Sequence, residues 1–313
     1  MIWYVLRRVV STLIVMAMVG LFVFLMLRLS PGDPVTIIAG DNATTEQLAD
    51  IRQRLGLDQP LPIQFVRWVE QLLTGDLGMS ISSRQPVAKL ILQRIEPTLS
   101  MAFLTMIVAV LLAVAAGVIA ASRRGQWVDQ LIMFLSVIGF SMPVFVAGYL
   151  MIFIFAVKLQ WLPVQGYVPL AGGVLPWLKG LVLPAASLGL VYVALIARIT
   201  RAAMIETLGE DYIRTARAKG ASRTAVLIGH ALPNVGVPVI TVIGTGFALL
   251  IGGVVITETV FNIPGVGRLV VDAIARRDYP VVQGVILVFS ALYVLINLAI
   301  DVSYTFIDPR IRY

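Results

Sequence analysis

Charge-free apolar stretches recur along the chain, each ending at a charged residue. They run from Val9 to Leu27, Pro97 to Ser122, Gln130 to Val157, Gly180 to Ala197, Ala231 to Thr257 and Tyr279 to Ile300. Each is close to the roughly 20 residues that an α-helix needs to cross a bilayer, so the pattern predicts six membrane spans. The fifth is expected to start spanning near Gly236, because Pro233 and Pro238 punctuate its entry. A seventh charge-free window, Leu159–Leu178, contains Pro163, Pro169 and Pro176 with Gly166, Gly172 and Gly173, which break a helix. Its Trp161, Tyr167 and Trp177 are the residues favoured at a membrane–water boundary, so it reads as an interfacial loop. The first stretch is longer than the core of a signal peptide, and the RLSPGDP after it offers no small-residue cleavage site, so it is expected to be retained.

Two polar segments interrupt this pattern. Between Arg28 and Glu96, Thr44-x-x-Gln47 resembles a capping box, with a helix ending near Leu55 and Gly56 as its stop. After Pro62, the apolar positions Phe65, Val66, Trp68, Val69, Leu72 and Leu73 predict a second amphipathic helix ending at Gly75. This segment could shield helix ends or dock an external protein. The second segment is a basic island, Glu210–Asn234, within a polar and amphipathic stretch between Arg198 and Pro233 whose charge comes from Arg201, Arg214, Arg217, Lys219 and Arg223. Ile205, Leu208, Tyr212, Ile213 and Ala216 predict an amphipathic helix over Ala202–Ala218 that Gly209 divides in two. Gly220 suits a left-handed stop, Ser222 can cap a short helix to Leu232, and Pro233 bends the chain into the next span. Charge and periodicity alone allow this elbow to rest on anionic lipid or to meet a protein.

Composition agrees with the pattern. The 313 residues are 59% hydrophobic and 13% charged, against about 45–50% and about 25% in soluble domains. A net charge of +7 then reflects loops retained on the inner face rather than nucleic-acid binding. With six spans both termini share one side, and Arg7, Arg8, Arg123, Arg124, the island, Arg310 and Arg312 place that side in the cytoplasm. The chain has no cysteine and one histidine, His230, so no metal site is expected. No G-x-x-x-x-G-K-[ST] phosphate loop is present.

Polar groups inside the spans are the candidates for a solute path. Ser290, Asn297 and Asp301 share one helix face; Asp301, near the cytoplasmic helix end, suits structural snorkelling or capping better than solute contact. Ser141-Met142-Pro143 breaks the third span, as a gate or as a packing kink. Gly244, Gly246, Gly252 and Gly253, with Thr241 and Thr245, mark close helix packing, for which another subunit is a candidate. Glu258 and Asn262, at the outer end of that span, are expected at the surface.

Gly220, followed ten residues later by His230 and then Ala231-Leu232-Pro233, resembles the coupling motif of ABC importer permeases, with His230 standing for the motif's isoleucine. The motif's Glu-Ala-Ala triplet falls on Arg214-Thr215-Ala216, and YIRTARAKG is similar to the form found in the dipeptide/oligopeptide/nickel branch. SPGDP at 30–34, LGLDQPL at 55–61, GDLGMS at 75–80, NIPGVGRL at 262–269, RDYPVVQ at 277–283 and DPRIR at 308–312 extend the resemblance along the whole chain. It implies an all-α membrane protein with the six-helix type I importer permease fold. The implied organisation is a first transmembrane helix (1–28), an external helical cap (29–96) and a five-helix core (97–313) with a cytoplasmic coupling loop at 199–235.

The resemblance further implies ATPase contact through Tyr212, Arg214, Thr215, Ala216, Arg217, Ala218, Gly220, His230, Leu232 and Pro233. Implied partners are a second homologous permease in a heterodimer, two cytoplasmic ABC ATPases and an external peptide-binding protein, all at the bacterial inner membrane. ATP and magnesium would bind the ATPases, leaving this chain without cofactor or catalytic residues. Dipeptides, oligopeptides, glutathione, nickel chelates and opines remain open as cargo. A secondary transporter would want an ionisable residue at the midplane of a span, and the six windows have none. A membrane hydrolase would want a nucleophile–base pair within the spans, and the single histidine lies outside them.

Overall fold

The computed structural model describes residues 2–29, 44–45 and 58–307. The expected capping box at Thr44 and the helix to Leu55, the SPGDP segment and the DPRIR tail lie largely or wholly outside these residues. Among the described residues the regular elements are helical, apart from one isolated antiparallel bridge between Met79 and Pro86. The chain forms two compact units, one of residues 1–8, 95–268 and 295–313 and one of residues 9–94 and 269–294.

The helices are α1 (Ile2–Leu29), α2 (Leu61–Leu73), α3 (Val87–Ser122), α4 (Trp127–Ser141), α5 (Val144–Met151), α6 (Val174–Leu208), α7 (Asp211–Ala218), α8 (Gly236–Val260), α9 (Val266–Ala275) and α10 (Tyr279–Ile307). Among the described residues, five helical segments are long and apolar enough to cross a membrane: Arg7–Met26, Val87–Ser122, Val174–Leu208, Ala225–Phe247 and Tyr279–Val302. A sixth is the broken pair Trp127–Ser141 and Val144–Lys158, bent by 104°. Pro143 supplies the break: it has no N–H to continue the ladder, and it holds Met142 in extended backbone at ψ 122°. Beyond α5 the chain widens into a π-helical turn over Ile152–Lys158.

Several boundaries differ from the hydropathy windows. α3 starts at Val87, upstream of the charge-free window, and carries Pro97 within it. α6 starts at Val174, inside the expected interfacial loop, and runs to Leu208 with Pro184 internal. Charged residues such as Lys179 and Arg198 end an apolar window but not a helix, so charge-free runs underestimate helix length.

In the larger unit α6 is the central element. Leu181, Leu183, Leu188, Ile196, Ala197 and Met204 are buried along it, the mark of a helix covered on most sides. α4, α5 and α8 pack against it, and Gly117 of α3 brings backbones close: a Cβ there would lie 2.6 Å from the Thr200 Cβ. Three of the four α8 glycines singled out above serve this internal packing. Gly244 faces Ile300, Gly246 faces Tyr192 and Gly253 faces Leu188, while only Gly252 of the four looks into open space.

In the smaller unit the expected second amphipathic helix is α2, with Pro62 in its first turn. Phe65 and Trp68 set their rings 5.1 and 5.6 Å from that of Phe24 near the end of α1, and the Arg28 guanidinium sits 3.6 Å above the same Phe24 ring. Gln283 of α10 donates to the Val23 carbonyl at 2.8 Å.

Candidate functional site

The basic island folds as an elbow whose shape follows from its sequence. α6 ends at Leu208, the chain extends through Glu210, and α7 begins at Asp211, whose carboxylate suits a helix N-terminus. The amphipathic stretch is therefore two pieces separated at Gly209, the first being the end of α6. α7 is anchored by one side chain: Ile213 is fully buried in the core cluster that also holds Ile196, Met204 and Val226. Its remaining surface is presented outward, with Arg214, Thr215, Arg217 and Ala218 exposed and Ala216 half-buried.

α7 closes in a left-handed stop. Gly220 has φ +86°, its N–H donates to the Arg217 carbonyl (3.0 Å) and the Ala221 N–H reaches back to the Ala216 carbonyl (3.1 Å). An L-residue in this region of backbone space costs about 1–2 kcal/mol. A Cβ at Gly220 would meet nothing within 4 Å, so the requirement for glycine comes from the backbone and not from crowding.

The return limb departs from the expected short α-helix. Ser222 Oγ accepts from the Ala225 N–H (3.2 Å), as a cap should, but residues Ala225–Ala231 then form a π-helix and Leu232–Val235 a 3₁₀ turn. Pro233 cannot donate, so the carbonyls ahead of it need other partners. The His230 carbonyl finds two: Asn234 Nδ2 at 2.7 Å and Tyr212 Oη at 3.4 Å. His230 thus ties the two limbs together through its backbone, while its imidazole is exposed. Leu232 is half-buried and Pro233 exposed at the bend.

The island's charge is divided between two jobs. Arg201 is not part of the outward surface; it clamps Asp129 at the start of α4, with Nε 2.5 Å from Oδ1 and Nη2 2.7 Å from Oδ2. Asp129 Oδ2 also accepts from the Gly125 N–H at 2.9 Å, fixing the turn between α3 and α4. Arg223 donates to the Ser122 carbonyl at 2.5 Å. Arg214, Arg217 and Lys219 stay exposed; the Arg214–Asp211 pair (3.1 Å) is solvent-screened and worth little. Between the elbow and the ends of α3 and α6 lies a groove of about 660 Å³, lined in part by Arg124, Arg217, Arg223, Ile205, Leu208 and Val226.

The second group of candidate residues is dispersed. Ser141 and Pro143 are exposed at the break between α4 and α5, with Met142 half-buried between them. Ser290 and Asn297 are half-buried along α10. Asp301 pairs with Arg8 near the start of α1 at 2.7 Å, so its carboxylate is engaged in the structural role that its place near a helix end suits.

Three buried carboxyl groups were not singled out from the sequence. Asp129 is the first. Glu258, expected at the surface, is fully buried: Thr98 Oγ1 donates to its Oε1 at 2.5 Å and the Arg268 N–H to its Oε2 at 2.8 Å. Thr98 in turn accepts from the Val266 N–H at 2.8 Å, so one glutamate holds the N-I-P-G-V-G loop against α3. The loop's glycines were the available signal, since a Cβ at Gly265 would lie 2.0 Å from Glu258 Oε1. Asn262 itself is exposed, as expected, and accepts from Arg268 Nη1. The third group, Asp278, gathers the 80–82 turn. Its Oδ2 accepts from Ser80 Oγ (2.5 Å), Ser82 Oγ (2.7 Å) and the Ser82 N–H (3.1 Å), and its Oδ1 from the Ile81 N–H (3.0 Å).

Comparison with known proteins agrees with this architecture. Residues 113–313 match the family model described as binding-protein-dependent transport system inner membrane component, and residues 1–102 match that of its N-terminal region. The chain is 57% identical over 310 residues, 99% of each protein, to a probable peptide ABC transporter permease protein, y4tP, of Sinorhizobium fredii. It is 45% identical over 313 residues, the full length of both, to the glutathione transport system permease protein GsiC of Escherichia coli O6:H1. Among solved structures, an inward-facing MetNI methionine ABC transporter has a chain that matches with a TM-score of 0.57 at 19% identity, covering 70% of this chain and 96% of that one. That likeness shows a shared fold. Permeases of this kind are not enzymes; separate ATPase subunits hydrolyse ATP, and a binding protein brings the cargo. The chain belongs to the family of inner membrane components of binding-protein-dependent transport systems, the permease subunits of ABC importers.

Proposed function

We propose that this chain forms part of the path by which peptides, delivered by an external binding protein, cross the bacterial inner membrane. It would pair with a second homologous permease and with two cytoplasmic ATPases that hold the nucleotide and magnesium. Both termini and the 210–234 elbow would face the cytoplasm, and residues 29–96 would form a cap outside. The names of the full-length relatives, one a probable peptide permease and one a glutathione permease, support a peptide cargo. Closure of the ATPase pair would draw the elbows together and bias the bundle between two states.

One observation carries the coupling role: α7 is fastened to the core by Ile213, stopped by Gly220 at φ +86°, and presents Arg214, Thr215 and Arg217 outward. A surface held rigidly from behind and left uncovered in front is suited to receive a protein partner. Exposed guanidinium groups offer charge-assisted bonds to it. The test is Gly220→Val in the assembled importer. A β-branched residue disfavours positive φ strongly, so the stop should unwind while membrane insertion is unaffected. Uptake of labelled peptide into proteoliposomes should fall to background, and wild-type uptake by this variant would rule the elbow out as the coupling element.

A further inference from the structure

We propose that the groove beneath the elbow is a binding site for the headgroup of an anionic phospholipid. Besides Arg217, whose outward face is assigned above to the protein partner, its lining carries two guanidinium groups, Arg124 and Arg223, and no carboxylate. Asp129, the nearest acid in sequence to Arg124, has its two oxygens engaged by Arg201 and by the Gly125 N–H. Arg223 is held in place by its bond to the Ser122 carbonyl, which uses one donor and leaves the rest of the fork available. A cluster of fixed positive charge of this kind favours a phosphate, and arginine's planar fork matches phosphate oxygens.

The remaining lining argues for a lipid rather than a soluble anion. Ile205, Leu208, Val226 and Leu227 give the groove an apolar side suited to the glycerol and first methylene groups of an acyl chain. The groove is also bounded by Ala121, Ser122 and Arg124 at the end of α3 and by Leu208 and Gly209 at the end of α6. The charge-free window of α3 ends at Ser122, which puts that edge of the groove at headgroup depth. An acidic side chain of a partner protein would need the charge but not the apolar floor.

The experiment uses the purified importer complex in neutral detergent, titrated with phosphatidylglycerol and followed by native mass spectrometry. Phosphatidylcholine and inorganic phosphate serve as controls. Phosphatidylglycerol should bind the wild type in preference to phosphatidylcholine, and inorganic phosphate alone should leave no adduct. An Arg124→Gln/Arg223→Gln double variant should bind phosphatidylglycerol roughly thirtyfold more weakly, the effect of removing two arginine–headgroup interactions. An Arg124→Lys/Arg223→Lys variant, with its charge intact, should keep most of the preference. Unchanged phosphatidylglycerol binding in the Gln variant overturns the proposal, as does equal binding of the two lipids by the wild type. Loss of the ATPase subunits from the Gln variant with lipid binding intact would assign the groove to a protein partner instead. This readout is independent of cargo, so its failure is distinguishable from failure of the peptide reading.

Discussion

Replacing Asp278 with Asn tests the account of the 80–82 turn with the side-chain volume unchanged. The wild-type carboxylate is almost fully buried and accepts four hydrogen bonds, from Ser80 Oγ, Ser82 Oγ, the Ser82 N–H and the Ile81 N–H. An amide keeps one acceptor oxygen but turns its NH₂ toward donors at the other position, and the bonds that survive become neutral ones. Charge-assisted bonds contribute about 1.5–3 kcal/mol each and neutral ones about 1 kcal/mol, so local stability should fall by about 3 kcal/mol. That corresponds to roughly a 150-fold increase in opening of the turn. Amide hydrogen exchange in detergent reads it directly, because the Ile81 and Ser82 N–H groups lose protection while α10 keeps its own. Exchange at both amides within threefold of wild type would refute the reasoning. Burial by itself would raise the Asp278 pKa, but the bonds from Ser80, Ser82 and the two backbone N–H groups outweigh it and hold the carboxyl below its usual range. The stabilisation is therefore complete above the unfolded value near pH 3.9 and is lost as pH falls through the lower folded value. The Asn variant should lack that acid-side loss.

Gly265→Ala should lower thermal stability by about 2–3 kcal/mol, because its Cβ would sit 2.0 Å from Glu258 Oε1, whereas Gly252→Ala, facing open space, should leave the melting temperature unchanged. Equal melting of the two variants would mean that Glu258 can relax. Ile213→Ala removes the only fully buried side chain of α7 and should loosen the elbow by about 2–4 kcal/mol, read as loss of ATPase subunits on affinity purification of the complex. Retention of those subunits at wild-type stoichiometry would contradict the anchoring role. Asp129→Asn leaves the half-buried Arg201 without its bidentate acceptor and should cost about 2 kcal/mol, a value set below that of a fully buried pair because Arg201 keeps 26% exposure. Hydrogen exchange at the Gly125 amide should rise with it, and an unchanged amide would place the turn's stability elsewhere.

The elements legible in the sequence were those set by local rules. Gly220 could be identified as a left-handed stop because the residues before it are good helix formers and glycine favours positive φ. The break at Met142-Pro143 follows from a missing N–H, and entry to α8 at Gly236 follows from Pro233 just upstream. What was not legible depended on residues far apart in sequence. Glu258 resembles a surface residue because its window ends there, yet Thr98, 160 positions away, provides its partner. Arg201 resembles one more cation in a basic island until Asp129, 72 positions away, claims it. The α8 glycines carried a true signal of close packing, but sequence could not tell a partner inside the chain from one outside it.

The same distinction explains which features of the elbow matter. A basic patch alone would bind lipid or protein indifferently, and several of its charges prove to be internal fastenings: Arg201 to α4, Arg223 to the end of α3. These fastenings give the elbow a path into the bundle. α7 is joined to α6 by the two-residue link Gly209-Glu210, α6 is clamped to the first turn of α4 by Arg201, and α4 ends at the 104° break before α5. If α7 is displaced by a partner, as proposed above, one helix and one bidentate ion pair connect it to the break without involving the packed middle of α6. Close-packed interiors resist continuous deformation and favour discrete shifts at joints. The joints available here are the glycine stop, the π-helical return limb and the proline break, and each sits where the backbone has given up its regular hydrogen bonds.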